Sequence, residues 1–187
     1  MKYCSECGAG VEFQVPPGDE RQRYVCSRCG YIHYQNPRLV VGSLPIWEDR
    51  ILLCRRAIEP RYGLWTLPAG FMELGETTLE AATRETREEA RARIHIDGLY
   101  VVINLPEVNQ VYMMFRAELL DLDFSPGTES LEVKLCTEDE IPWNELAFGT
   151  IRHTLNHYFL DRRAGLYPLH LGDIVKDGEH YVYRSFC

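Results

Sequence analysis

An α/β sandwich on a mixed β-sheet, with a small metal-stapled ribbon ahead of it, is the architecture these residues lead one to expect. Three observations point there. β-prone runs interleave with two helical stretches along roughly 150 residues, a pattern that packs helices onto a sheet. Two Cys-x-x-Cys pairs fall within the first 29 residues, set apart from that pattern. The chain has 187 residues, 45% hydrophobic and 26% charged, enough for one core plus an appendage. With 14 Gly, 10 Pro and no internal repeat, collagen-like, disordered and coiled-coil chains are excluded.

The elements follow in order. Cys4 and Cys7, then Cys26 and Cys29, are each followed by a glycine, Gly8 and Gly30. Two such knuckles close a tetrahedral thiolate site that suits structural Zn²⁺ and leaves no open position. The alternatives are two disulfides or free thiols. A ribbon of this size cannot bury enough apolar surface to fold alone, so the metal acts as its core. Pro16-Pro17-Gly18-Asp19-Glu20 reads as the turn between its halves, and Tyr34–Arg38 as an extended linker. The boundaries expected are a ribbon over 1–36 and a main domain over 37–187. Leu39–Trp47 and Ile51–Cys54 read as strands, and Cys54 and Cys136 as buried strand residues; Cys187 is left over.

Thr77 and Glu80 form a capping box that starts a helix. Leu79, Ala82, Thr86 and Ala90 trace its less polar side. Strands are expected over Ile94–Asn104, Gln110–Leu120 and Leu131–Cys136, with a second capping box at Thr137 and Glu140. Phe148, Ile151, Leu155, Tyr158 and Phe159 form an apolar stripe, so 148–163 is an amphipathic helix. Asp177-Gly178 marks a terminal hairpin.

Charge narrows the function. Twenty basic against 28 acidic residues give −8, which offers no general pull on nucleic acid or anionic lipid. No apolar run reaches the roughly 18 residues of a membrane span. MKYCSECGAG lacks the apolar segment of a secretory signal, so a cytoplasmic protein is expected. A phosphate-rich ligand would then need local cations.

Glu85, Glu88 and Glu89 stand at i, i+3 and i+4 on the capped helix, with Cβ atoms about 5–6 Å apart. Three carboxylates there repel one another; Arg84 relieves part of this, and hard oxygen donors suit Mg²⁺ or Mn²⁺ for the rest. A Glu triplet alone is usually a solvated face. The turn Gly70–Glu76 before it changes the reading, because its glycines let backbone approach a ligand and present carbonyls to a metal.

Gly70, Glu76, Arg84, Glu85, Glu88 and Glu89 fall in register on the Nudix box: Gly, five residues, Glu, seven residues, Arg-Glu, two residues, Glu-Glu. The sequence therefore resembles the Nudix family over roughly 39–160. Thr86, Arg91 and Ala92 depart from the usual apolar residue, glycine and larger apolar residue, and none of them removes a carboxylate. The resemblance implies a Nudix α/β/α sandwich that hydrolyses a nucleoside diphosphate linked to another moiety. It implies Glu85 and Glu89 as the main metal ligands, Glu88 as their support and the Ala69 carbonyl as a further ligand. Glu76 and Arg84 would orient these groups. Glu129, with Glu132 as runner-up, would complete the metal site or act as base.

Ribbon plus Nudix box resembles the zinc-ribbon dinucleotide pyrophosphatases, and Tyr34–Pro37, Gly63–Gly70 and Pro126–Glu132 resemble the type acting on FAD and ADP-ribose. Where NADH pyrophosphatases carry SQPWPFP, this chain has Asn104–Gln110. The implied partner is a small-molecule nucleotide, with a homodimer as the implied assembly. The alternatives are an NADH pyrophosphatase, a hydrolase of dinucleotide-capped RNA, and a non-catalytic Nudix ligand sensor. Tyr62, Trp65 and Tyr112 are candidates to stack on the substrate's rings, or else are core aromatics. Arg55, Arg56, Arg61 and Arg116 are candidate phosphate ligands among which the sequence does not choose. His153 and His157, i and i+4 on that helix, offer a metal pair, but they lie off the apolar stripe and are expected on a solvated face.

Overall fold

The computed structural model describes residues 1–186; Cys187 lies outside the described residues. The chain forms two compact units, Met1–Pro37 and the part from Arg38 onward. The first is a three-stranded antiparallel ribbon of β1 (Val11–Gln14), β2 (Arg23–Cys26) and β3 (Ile32–His33), ordered β1-β2-β3.

The second unit is built on a nine-stranded mixed sheet. Its strands are β4 (Arg38–Trp47), β5 (Arg50–Arg56), β6 (Trp65–Thr66), β7 (Ala69–Phe71), β8 (Ile94–Leu105), β9 (Gln110–Leu119), β10 (Ser130–Cys136), β11 (His170–Asp177) and β12 (His180–Ser185). They run in the order β10-β5-β4-β9-β8-β11-β12, with β6 on β5 and β7 on β4. Two pairs are parallel, β4 with β9 and β11 with β8; the others are antiparallel.

Helices α1 (Thr78–Ala90) and α2 (Gly149–Ala164) cover opposite faces. The alternation of side chains along a strand shows how the sequence encodes this. On β4, Val40 and Leu44 pack with Ile151, Leu155 and Phe159 of α2, while Val41 packs with Ala81 and Ala82 of α1. On β5, Ile51 and Leu53 join the α2 layer, and Leu52 and Cys54 meet Ala90. A strand covered on both sides must be apolar throughout, which explains the unbroken runs in β4 and β5. Cys54 and Cys136 are buried strand residues, as expected.

Local signals placed most elements. The Thr77/Glu80 capping box starts α1, and the Thr137/Glu140 box starts a single turn at Glu138–Glu140. The hairpin turn sits one residue later than expected, with Gly178-Glu179 between the paired Asp177 and His180. Leu79 is a correction: it is 49% exposed, and the buried side of α1 is Ala81, Ala82, Glu85, Thr86, Glu89 and Ala90. Two of the carboxylates thus share the buried face. Among the described residues no helix is long and apolar enough to cross a membrane.

Candidate active site

The ribbon's four thiols converge. Gly8 and Gly30 both have φ 71°, which closes each knuckle so that their N–H groups donate to Cys4 and Cys26 carbonyls. Cys4 Sγ lies 3.8 Å from Cys29 Sγ and Cys7 Sγ 3.5 Å from Cys26 Sγ, far beyond the roughly 2.05 Å of a disulfide. All four sulfurs lie within 4.8 Å of one another. The N–H groups of Cys29 and Arg28 point at Cys26 Sγ, and these bonds draw its pKa down to about 6. Against their own backbone hydrogen bonds, the neighbouring sulfurs push the Cys7 and Cys29 thiols up, the mutual repulsion of thiolates that a shared cation relieves. The donor set and its closed geometry fit a tetrahedral Zn²⁺.

In the main domain, Arg84 organises the acidic residues. Its Nε and Nη2 donate to both oxygens of Glu76, at 3.0 and 2.8 Å. Its Nη1 donates to Glu85 at 2.7 Å and to Glu88 at 3.0 Å, and Nη2 reaches the Phe71 carbonyl. Arg84 pulls the Glu76 pKa down to about 2, so this bridge between turn and helix is charged at any working pH. Glu85 and Glu89 are only 8% and 6% exposed. Burial, then repulsion from Glu85, pushes Glu89 up to about 8, while burial raises Glu85 against the opposing pull of Arg84.

Glu129 is exposed on its loop, yet its charge adds to the repulsion felt by both Glu85 and Glu89. Glu132 instead faces Arg55, 4.0 Å away. The Ala69 N–H donates to Glu89 at 3.3 Å. A Cβ on Gly70 would lie 2.4 Å from a Glu85 oxygen, so that carboxylate rests directly on glycine backbone. Buried hard-oxygen donors that repel one another fit a divalent cation of the Mg²⁺ or Mn²⁺ kind. Among the described residues they are not drawn together as tightly as the four thiols.

Ala92 is buried at 3% beside Ala90 and Leu119, and the other two departures from the box have distinct outcomes. Thr86 is fully buried, and its hydroxyl donates to the Ala82 carbonyl and meets Ser43 Oγ at 2.6 Å, pinning α1 to β4. The sequence signals only its methyl; the paired Ser43 on a facing strand was the missing half. Arg91 takes the left-handed conformation at φ 51° and ends the helix without glycine. The loop between β9 and β10 covers the open helix end, as Ser125 N–H donates to the Ala90 carbonyl and Gly127 N–H to the Glu89 carbonyl.

The aromatic candidates separate. Tyr62 is exposed, whereas Trp65 and Tyr112 are each 8% exposed within the central core, the second role considered for them. Arg116 pairs with Asp97 and lies over Tyr167; Arg55 donates to the Gly63 carbonyl. The histidines correct the expected solvated face. His153 stacks on Tyr183 at 4.0 Å, and His157 bonds the Tyr183 hydroxyl at 2.9 Å and stacks on His170 at 3.9 Å. The covering hairpin lies beyond α2 in the chain, so helical periodicity alone could not reveal it.

Comparisons with known proteins agree with this geometry. The family model described as NUDIX domain matches residues 36–157, and the one described as Nudix N-terminal, a zinc ribbon, matches 2–35. A NUDIX hydrolase crystal structure from Nitrosomonas europaea superposes with TM-score 0.92 at 56% identity, covering 94% of this chain and all of that one. The NAD-capped RNA hydrolase NudC of Pseudomonas aeruginosa is 27% identical over 169 residues, 88% of this chain and 57% of its own length. The ADP-ribose pyrophosphatase of Methanocaldococcus jannaschii is 28% identical over 122 residues, 63% of this chain and 71% of that protein. The chain thus spans little more than half the length of the NudC relative. With a matching model over most of its length and the box carboxylates gathered at one end of α1, the chain belongs to the NUDIX family.

Proposed function

We propose that this Nudix hydrolase cleaves the pyrophosphate bond of nucleoside diphosphate derivatives, with ADP-ribose and FAD as its substrates. The carrying observation is the buried pair Glu85 and Glu89, held by Arg84 and Gly70 and approached by Glu129. Glu85 and Glu89 with Glu88 and the Ala69 carbonyl would hold Mg²⁺ or Mn²⁺, which when bound neutralises phosphate charge and acidifies water. Arg84 and Glu76 fix the carboxylates so that little reorganisation is needed on binding. Glu129, at the solvent edge, takes the proton from the attacking water. The products would be AMP with ribose 5-phosphate, or AMP with FMN. Zn²⁺ in the ribbon would be structural and separate from this chemistry.

The absence of the NADH-type stretch at Asn104–Gln110 and the likeness to an ADP-ribose pyrophosphatase support that substrate choice. A second reading, hydrolysis of NAD-capped RNA, is favoured by the likeness to NudC, although a charge of −8 opposes a long polyanion. Release of AMP or FMN from ADP-ribose, FAD, NADH and NAD-capped RNA at fixed Mg²⁺ separates them. Higher kcat/KM for ADP-ribose and FAD supports the first reading; capped RNA or NADH ahead of both overturns it. The family resemblance carries the further proposal of a homodimer, to be tested by light scattering.

A further inference from the structure

Thr86 stands on α1 between Glu85 and Glu89, where the box usually has an apolar residue, and it brings a hydroxyl into a site closed to water. Thr86 and Ser43 are both 0% exposed. The Thr86 hydroxyl donates to the Ala82 carbonyl at 2.7 Å and lies 2.6 Å from Ser43 Oγ. A hydroxyl has one proton to give, and that of Thr86 goes to Ala82. Ser43 is therefore the donor in the second bond, and the chain of bonds runs from Ser43 through Thr86 to the Ala82 carbonyl. In a dry interior each link of such a chain strengthens the next. The apolar contacts around it hold the helix less firmly in place. The sheet-facing side of α1 is built from Ala81, Ala82 and Ala90, and small side chains under a non-directional force resist sliding weakly.

Ser43 also holds the other half of the carboxylate site. Its N–H donates to the Pro68 carbonyl at 3.1 Å. Its neighbour Gly42 pairs with Ala69 so closely that a Cβ on Gly42 would lie 2.4 Å from the Pro68 oxygen. The same Ala69 donates its N–H to Glu89, and the adjoining Gly70 lies against the Glu85 carboxylate. One residue of β4 thus grips the glutamate-bearing helix with its side chain and the turn under those glutamates with its backbone. The contacts close a ring from Ser43 to Thr86, along α1 to Glu89, across to Ala69 and Pro68, and back to Ser43. A slip of α1 along β4 would break the hydroxyl pair and pull both carboxylates off the turn.

We propose that the Ser43–Thr86 hydroxyl pair is a positioning device for the metal site, fixing where α1 stands on β4 so that Glu85 and Glu89 meet the Ala69–Gly70 turn in register. This rests on the reading of those carboxylates as ligands of Mg²⁺ or Mn²⁺. Neither hydroxyl is itself a ligand; both act through the carboxylates.

The test measures Mn²⁺ affinity by calorimetry on the zinc-loaded protein, kcat and KM for ADP-ribose, and melting temperature. Thr86→Val keeps the shape but removes the acceptor and strands the Ser43 hydroxyl. It should melt lower and bind Mn²⁺ about 10-fold more weakly, the scale of a lost outer partner at a metal site. Ser43→Ala/Thr86→Val removes both hydroxyls and strands neither, so its melting temperature should return close to that of the wild type. Its Mn²⁺ affinity should nonetheless stay about 10-fold low, with kcat falling by more than KM rises. Thr86→Ser does the reverse: it loses a buried methyl and melts lower, yet keeps the bond and binds Mn²⁺ within about twofold of wild type. A purely structural pair would make Mn²⁺ affinity follow melting temperature across all three variants. Mn²⁺ affinity in the double variant within about twofold of wild type overturns the assignment, as does an equal loss in Thr86→Ser. If Thr86→Val does not fold, the other two variants decide. If the wild type binds Mn²⁺ but does not turn over ADP-ribose or FAD, the substrate reading fails and the Mn²⁺ affinities still judge the pair. A wild type without a Mn²⁺ site overturns both.

Discussion

Gly127 offers the sharpest test of how the site is held. A methyl group there would lie 1.7 Å from the Glu88 carbonyl oxygen, inside the 3.0 Å that real Cβ contacts respect. In Gly127→Ala the loop and the end of α1 must therefore move apart by roughly 1.3 Å, and both partners are backbone. Overpacking of this kind costs about 1–3 kcal/mol. The loop's bonds to the Ala90 and Glu89 carbonyls would weaken too, at about 0.5–1.5 kcal/mol each. The total, about 2–6 kcal/mol, lowers the melting temperature of a chain this size by roughly 4–24 °C. Glu129 rides two residues further on, so turnover should fall as well. Gly98→Ala is the control, because a Cβ there meets nothing within 4 Å. Calorimetry and ADP-ribose turnover on both variants provide the readout. A Gly127→Ala protein that melts within about 1 °C of wild type and keeps full turnover would refute the close packing of loop on helix.

Further outcomes are expected. Glu89→Gln should cut turnover by on the order of 10²-fold while leaving the metal-free melting temperature unchanged or raised, because it removes a buried carboxylate repelled by Glu85; near-full turnover would take Glu89 out of the metal site. Metal analysis should find about one zinc per chain, and Cys26→Ala should release it; an active, folded preparation without zinc contradicts this. Burial and the nearby His170 hold the His157 pKa down at about 4, against an ordinary value of 6.5. A histidine kept neutral contributes stability that is complete above 6.5 and is lost as pH falls toward 4. The urea midpoint should therefore drop less between pH 7 and 5 in His157→Gln than in wild type; equal drops would exclude the effect.

Elements whose signals are local were legible in the chain. The paired cysteines, the Thr77/Glu80 box and the terminal hairpin each depend on residues a few positions apart, and each is present. The features that escaped depend on partners far along the chain. Ser43 with Thr86, Tyr183 over His153 and His157, and Ser130 opposite Arg56 join residues that no periodicity links. Trp65 and Tyr112 show the same limit, since an aromatic in a strand reads alike whether it faces a ligand or a core.

The parallel pairing of β4 with β9 sets an order of assembly. Arg38 aligns with Gln110 and Ile46 with Glu118, and all of α1 lies between the two strands in sequence. The helix bearing the box glutamates leaves the ribosome before β9 and before the loop holding Glu129 and Ser130. A nascent chain stopped short of β9 carries every box residue yet lacks both the central strand that joins β4 to β8 and the loop that covers the helix end. Closing so long a segment is slow compared with forming a helix. The proposed carboxylate site is therefore completed only after the chain has emerged past Ser130, some forty residues beyond the box itself.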